Sequence, residues 1–124
     1  MTAPIRLLIA EDQSLVRGAL TALLNTEPDM EVLAECSSGA EVARLVAERS
    51  VDVALLDIEM PGMNGIDAAQ SLAGSACRSL IVTTFGRAGY VKRALDAGVD
   101  GFLVKDTPPD QLADAIRRVH SGLR

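Results

Sequence analysis

Short apolar runs recur along the chain. They are Ile5-Arg6-Leu7-Leu8-Ile9-Ala10, Val32-Leu33-Ala34-Glu35-Cys36, Val53-Ala54-Leu55-Leu56, Leu80-Ile81-Val82-Thr83 and Gly101-Phe102-Leu103-Val104. Runs this short, without polar alternation, suit strands covered on both faces. Between them the apolar spacing changes to i, i+3, i+4, which predicts helices over 14–25, 40–49, 65–73, 88–97 and 109–121. The predicted core stripes are Val16, Ala19, Leu20, Leu23 and Leu24, then Val42, Leu45 and Val46, then Ile66, Ala69 and Leu72. The last two helices offer Val91, Ala94 and Leu95, and Leu112, Ala115, Ile116 and Val119. Gly98 stands where a helix C-terminus favours glycine, and Pro108-Pro109 stand where a helix start tolerates proline.

Strand and helix thus alternate through the whole chain. That pattern predicts an α/β fold, a doubly wound parallel sheet of (βα)5 form with right-handed crossovers. A chain of 124 residues suits one domain spanning 1–124. A domain of that size buries roughly two-thirds of its unfolded surface and folds without a metal or disulfide staple. Phe85, Tyr90 and Phe102 are the only aromatics, so the core must be aliphatic.

The formal net charge is −5, which argues against nucleic-acid binding by this segment. Cys36 and Cys77 lie far apart and His120 is the sole histidine, so a zinc site has no donor set. No apolar run approaches the ~18 residues of a membrane span. The expectation is reduced thiols, buried as small apolar groups, in a cytoplasmic protein with no membrane partner.

Doubly wound sheets bind ligands beyond the carboxyl ends of their strands. Glu11-Asp12 follow the first predicted strand, Asp57 the third, Thr83-Thr84 end the fourth and Lys105 follows the fifth. With sheet order 2-1-3-4-5, strands one, three and four are central, and these residues share one cleft. Carboxylates gathered there repel one another, and a hard divalent cation or a lysine offsets the cost. A carboxylate nucleophile, a metal and an opposed cation form the set that phosphoryl transfer uses. A hydroxyl at Thr83 can bond a phosphoryl oxygen. Singly, each residue has an ordinary reading: a solvated strand end, a loop cap, a β-branched strand residue, a surface lysine. Pro61 and Gly65 read as turn chemistry, and Tyr90 as packing or partner contact.

The motifs Ile9-Ala10-Glu11-Asp12, Leu55-Leu56-Asp57-Ile58-Glu59-Met60-Pro61-Gly62-Met63-Asn64-Gly65, Ile81-Val82-Thr83-Thr84 and Phe102-Leu103-Val104-Lys105 resemble those of bacterial response-regulator receiver domains. The resemblance covers almost the whole chain and implies a flavodoxin-like fold. It implies Asp57 as phospho-acceptor and Mg²⁺ as cofactor, held by Asp12, Asp57 and the Glu59 backbone carbonyl, with Glu11 acting through a water. Thr83 would be the switch hydroxyl, Lys105 the phosphate-side cation, and Phe102 the aromatic that turns inward.

The same resemblance implies partners and limits. A sensor histidine kinase would supply the phosphoryl group, and phosphorylation would drive a homodimer, at helix four, strand five and helix five or at helices one and five. Leu15, Gly18 and Ala22 would allow close packing on helix one. DNA would be reached only through a helix-turn-helix output domain outside these residues. The chain would be a switch that catalyses its own phosphotransfer and slow dephosphorylation, not an enzyme in the ordinary sense. Apolar Phe85 would give an attacking water no polar hold, favouring a longer-lived phosphoryl group.

Glu11 replaces the commoner Asp, and Asp106 replaces the commoner Pro after Lys105. Both variants resemble the NarL/FixJ-type subfamily. The stretch Thr83-Thr84-Phe85-Gly86-Arg87-Ala88-Gly89-Tyr90 is similar to regulators paired with membrane-fluidity-sensing kinases that control fatty-acid desaturation. The alternative within the family is a degenerate receiver that docks without phosphorylation. Two other classes fit less well. An aspartate-nucleophile phosphohydrolase would use Glu59 as its second acid, but leaves Glu11-Asp12 unexplained. A nucleotide- or flavin-binding module needs a glycine-rich loop where Glu11-Asp12 would repel phosphates.

Overall fold

The computed structural model describes residues 3–84 and 88–122. The strands are β1 (Ile5–Ala10), β2 (Met30–Cys36), β3 (Val53–Leu56), β4 (Arg78–Thr83) and β5 (Gly101–Val104). The helices are α1 (Ser14–Asn25), α2 (Val42–Arg49), α3 (Gly65–Ser71), α4 (Ala88–Asp96) and α5 (Pro109–His120). A 3₁₀ turn, Gly39–Glu41, precedes α2, where the apolar spacing predicts one helix from residue 40. Ser38 starts that turn by accepting a hydrogen bond from the Ala40 amide at 3.2 Å.

All strand pairs are parallel, in the order β2-β1-β3-β4-β5, as the flavodoxin-like expectation requires. The β1–β2 register shifts once, between Leu7 and Leu8. Side chains alternate across the sheet and build two cores. Leu8, Ala10, Ala54, Leu56 and Ile81 face α2, α3 and α4, meeting Val42, Val46, Ile66, Ala69 and Ala94. Leu7, Ile9, Val53, Leu55, Leu80 and Val82 face α1 and α5, meeting Leu24, Leu112, Ile116 and Val119. Burial on both faces is why these strands read as unbroken apolar runs.

Two helical stripes are narrower than predicted. On α1 only Leu24 is fully buried; Val16 and Leu20 are half-buried, while Ala19 and Leu23 are exposed. On α4, Ala94 is buried, but Leu95 is 65% exposed. Helix α4 closes as the sequence predicts: Gly98 has φ 82°, and the Val99 amide donates to the Ala94 carbonyl at 3.2 Å.

Candidate functional site

Each strand tip is held by main-chain bonds that run on past the strand. The Glu11 amide donates to the Cys36 carbonyl at 3.0 Å, the Asp57 amide to the Ala10 carbonyl at 3.0 Å, and the Lys105 amide to the Thr83 carbonyl at 2.7 Å. The side chains of Glu11, Asp12 and Asp57 converge, with one carboxylate oxygen from each lying within 4.8 Å of the others. Glu11 and Asp57 are buried and Asp12 is exposed. A hard-oxygen donor set of this spacing suits a small divalent cation.

Lys105 is the local counter-charge. Its ammonium pairs with Glu11 and reaches Asp57 Oδ2 at 3.1 Å. Burial pushes the Lys105 pKa down, but the hydrogen bonds to Glu11 and Asp57 outweigh it, and the net shift is upward. The other Glu11 oxygen, Oε2, accepts from the Gln13 amide at 3.0 Å. Arg17 on α1 donates to the Glu11 carbonyl at 2.7 Å and lies 3.8 Å from Glu35 on β2. Thus backbone and side chain of Glu11 are both fixed.

Asp12, Gln13, Asp57, Glu59, Thr83, Thr84, Tyr90 and Lys105 line one cleft of about 230 Å³. Thr83 is buried, at the tip of β4. Phe102 stands apart from this cleft. It is half-buried on β5, packed against the α2/α3/α4 core, and borders a separate groove with Ala115, Arg118 and Val119 of α5. A larger cavity of about 430 Å³, at the amino end of β4 beside Cys77 and Arg78, contains none of the three converging carboxylates. Phe85 lies outside the described residues.

The loop after Asp57 is clamped by close backbone approach. A side chain at Gly65 would collide with the Asp57 carbonyl, and a Cβ there would stand 2.7 Å from the Asp57 carbonyl carbon. Gly65 is therefore a clearance residue, whereas Gly62, at φ 76°, carries the turn that the sequence assigns to this loop. Asn64 Oδ1 caps α3 by accepting from the Asp67 amide at 2.9 Å. Ser38 donates to the Pro61 carbonyl at 3.0 Å, and the Gly39 amide to the Met63 carbonyl at 3.0 Å. Arg17, Ser38 and Gly39 carry no motif of their own, and sequence reasoning missed their part in shaping the site.

Tyr90 packs against the α2/α3/α4 core, as the sequence reading of packing or partner contact allows. It also lines the acidic cleft, where its hydroxyl donates to Glu59 Oε1 at 3.4 Å. Both cysteines are buried as expected, and burial raises their thiol pKa values, that of Cys77 to about 12.

A doubly wound parallel sheet with converging acids and one lysine at its central strand tips defines a flavodoxin-like domain with an acidic switch-point site. Residues 7–117 match the family model described as the response regulator receiver domain, and the chain belongs to that family. It is 48% identical over 120 residues to the transcriptional regulatory protein DesR of Bacillus subtilis, covering 97% of this chain and 60% of that protein. A DNA-binding response regulator of the LuxR family from Staphylococcus aureus superposes with TM-score 0.88 at 35% identity, covering 94% of this chain and 98% of that one. The signal receiver domain of the putative response regulator NarL from Mycobacterium tuberculosis superposes with TM-score 0.93 at 28% identity, covering 98% and 99%. These relatives agree with the NarL/FixJ-type resemblance. The chain spans about 60% of the length of DesR. Among the described residues, no helix is long and apolar enough to cross a membrane.

Proposed function

We propose that this chain is a phosphorylation switch in which Asp57 accepts a phosphoryl group from the phosphohistidine of a sensor kinase. The observation that carries the reading is the convergence of Glu11, Asp12 and Asp57, with Lys105 bonded to both Glu11 and Asp57. The donor set fits Mg²⁺, which Asp12, Asp57 and the Glu59 carbonyl would hold directly and Glu11 through a water. When bound, the ion supplies positive charge to the phosphoryl oxygens.

The chain's own residues do the rest. An Asp57 Oδ attacks the phosphorus, the P–N bond to the donor histidine breaks, and that histidine leaves with the bonding pair. Lys105, already on Asp57 Oδ2, transfers its hydrogen bond to the incoming phosphoryl oxygens. The Thr83 hydroxyl donates to a phosphoryl oxygen and moves towards it. Phe102 then turns into the vacated space, and the β5–α5 surface is reshaped.

The readout is a homodimer that presents an output helix-turn-helix domain, outside these residues, to DNA. A transcriptional role in the cytoplasm is supported by the similarity to transcriptional regulators. The narrower likeness to regulators of fatty-acid desaturation rests on residues 83–90.

Intact mass after treatment with acetyl phosphate and Mg²⁺ tests the reading. Wild type is expected to gain one phosphoryl group and Asp57→Asn none. A wild type that stays unmodified would leave the phosphorylation-independent docking module as the surviving alternative.

A further inference from the structure

Four carboxylates lie in or beside the acidic cleft, and they do not have the same surroundings. Glu11, Asp12 and Asp57 form the converging cluster, and Lys105 is bound to two of them. The Glu59 side chain is outside that cluster, exposed, and on the same cleft wall as Tyr90. It follows Asp57 by two residues, so it stands beside any group carried on Asp57. An exposed carboxylate in that position has free lone pairs with which to hold a water.

The Tyr90 hydroxyl donates to one Glu59 oxygen across a sequence separation of 31 residues. Its ring is the only aromatic lining the cleft among the described residues, and it also packs against the α2/α3/α4 core. The ring is therefore anchored on one side and bonded to Glu59 on the other.

We infer that Tyr90 is a positioning residue that sets the lifetime of the phosphoryl group by occupying Glu59. This inference rests on the receiver reading above. The step it governs is hydrolysis. A water oxygen bonds to phosphorus, the P–O bond to Asp57 breaks, and Asp57 leaves as a carboxylate. The water's hydroxyl stays on phosphorus and its second proton passes to a phosphate oxygen, giving dihydrogen phosphate. Glu59 favours this step when it accepts a hydrogen bond from that water and aims it. Tyr90 opposes it by taking the same acceptor and by filling the approach with a ring.

The test is the loss of phosphoryl mass over time from protein loaded with acetyl phosphate and Mg²⁺ and then freed of donor. Four proteins are compared: wild type, Tyr90→Phe, Glu59→Gln and the double variant. Tyr90→Phe keeps the ring and its packing and removes only the hydroxyl. It is expected to lose the phosphoryl group about threefold faster, the worth of one long hydrogen bond. Glu59→Gln is expected to lose it more slowly than wild type, and the double variant to match Glu59→Gln. Unchanged loss from Tyr90→Phe overturns the inference. So does an acceleration of the same size in the Glu59→Gln background, because a purely structural loosening would not depend on Glu59. A wild type that never gains phosphoryl mass sinks the receiver reading first, at the loading step, so the two failures are told apart.

Discussion

At the scale of single residues, space is as informative as chemistry. Gly65 and Gly18 are both helical glycines, yet alanine should act on them in opposite directions. At Gly65 the added methyl meets the main chain of Asp57, which the sheet prevents from yielding. Gly65→Ala is expected to destabilise the fold by about 2–3 kcal/mol, the range of rigid overpacking. At Gly18 nothing lies within 4 Å of the place an added methyl would take. Gly18→Ala is expected to stabilise by about 0.5–1 kcal/mol through helix propensity alone. Urea midpoints of the two variants, measured side by side, read both signs; a shift in the same direction would contradict the account.

Residue-level chemistry was legible where topology located it. Glu11, Asp12, Asp57, Thr83 and Lys105 stand at strand ends, and a parallel sheet of known order brings such ends together. Tyr90 was illegible for the converse reason. It is on a helix, and nothing in its neighbours' spacing indicates that it reaches Glu59. The clearance at Gly65 was hidden too, because turns and close approaches both select glycine.

At the scale of elements, every predicted strand and helix is present, because each is bounded by a change of apolar period. What periodicity overcounted was burial. Leu23 and Leu95 sit at proper helical spacing and are nevertheless exposed. Spacing shows which residues share a stripe, but the width of the sheet beneath decides how much of it is covered.

Helix α5 has a further attachment that no motif signals. Arg117 donates to Asp29 Oδ2 at 2.7 Å and to Glu27 Oε1 at 2.5 Å, tying α5 to the turn between α1 and β2. The hydrogen bond from Arg117 holds the Asp29 pKa below its ordinary value of 3.8, and the same carboxylates raise that of Arg117. Since the folded Asp29 value is the lower one, the stabilisation is complete above pH 3.8 and is lost as pH falls through the folded value. Both partners are more than a third exposed, so solvent screening limits the network to about 1 kcal/mol. Arg117→Met is expected to lower stability by that amount near neutrality, and the gap from wild type should shrink at about pH 3. Urea melts at the two pH values check this; a gap that is the same at both would remove the Asp29 explanation.

At the scale of the whole molecule, the exposed surface of α1 is a feature that packing within the described residues leaves unexplained. Leu15 is 86% exposed and Leu23 45% exposed, beside exposed Gly18 and Ala22. Small residues between two leucines would let a second helix approach closely. The proposed dimer would use this surface together with the adjoining α5. Mass by light scattering is expected to double when a stable phosphate mimic and Mg²⁺ are added, and Leu23→Glu is expected to hold the protein as a monomer. One unchanged mass in every sample would dispose of the dimer.

The hydrogen-bond ladder that runs on past the strand ends has a broader consequence. The tips of β1, β3 and β5 are located by amide and carbonyl groups, which every amino acid except proline can supply in full. The scaffold is thus indifferent to what those positions carry. Exchanging an acid, a hydroxyl or an amine there rewrites the reactivity while the frame remains standing, so one architecture can host many chemical dialects.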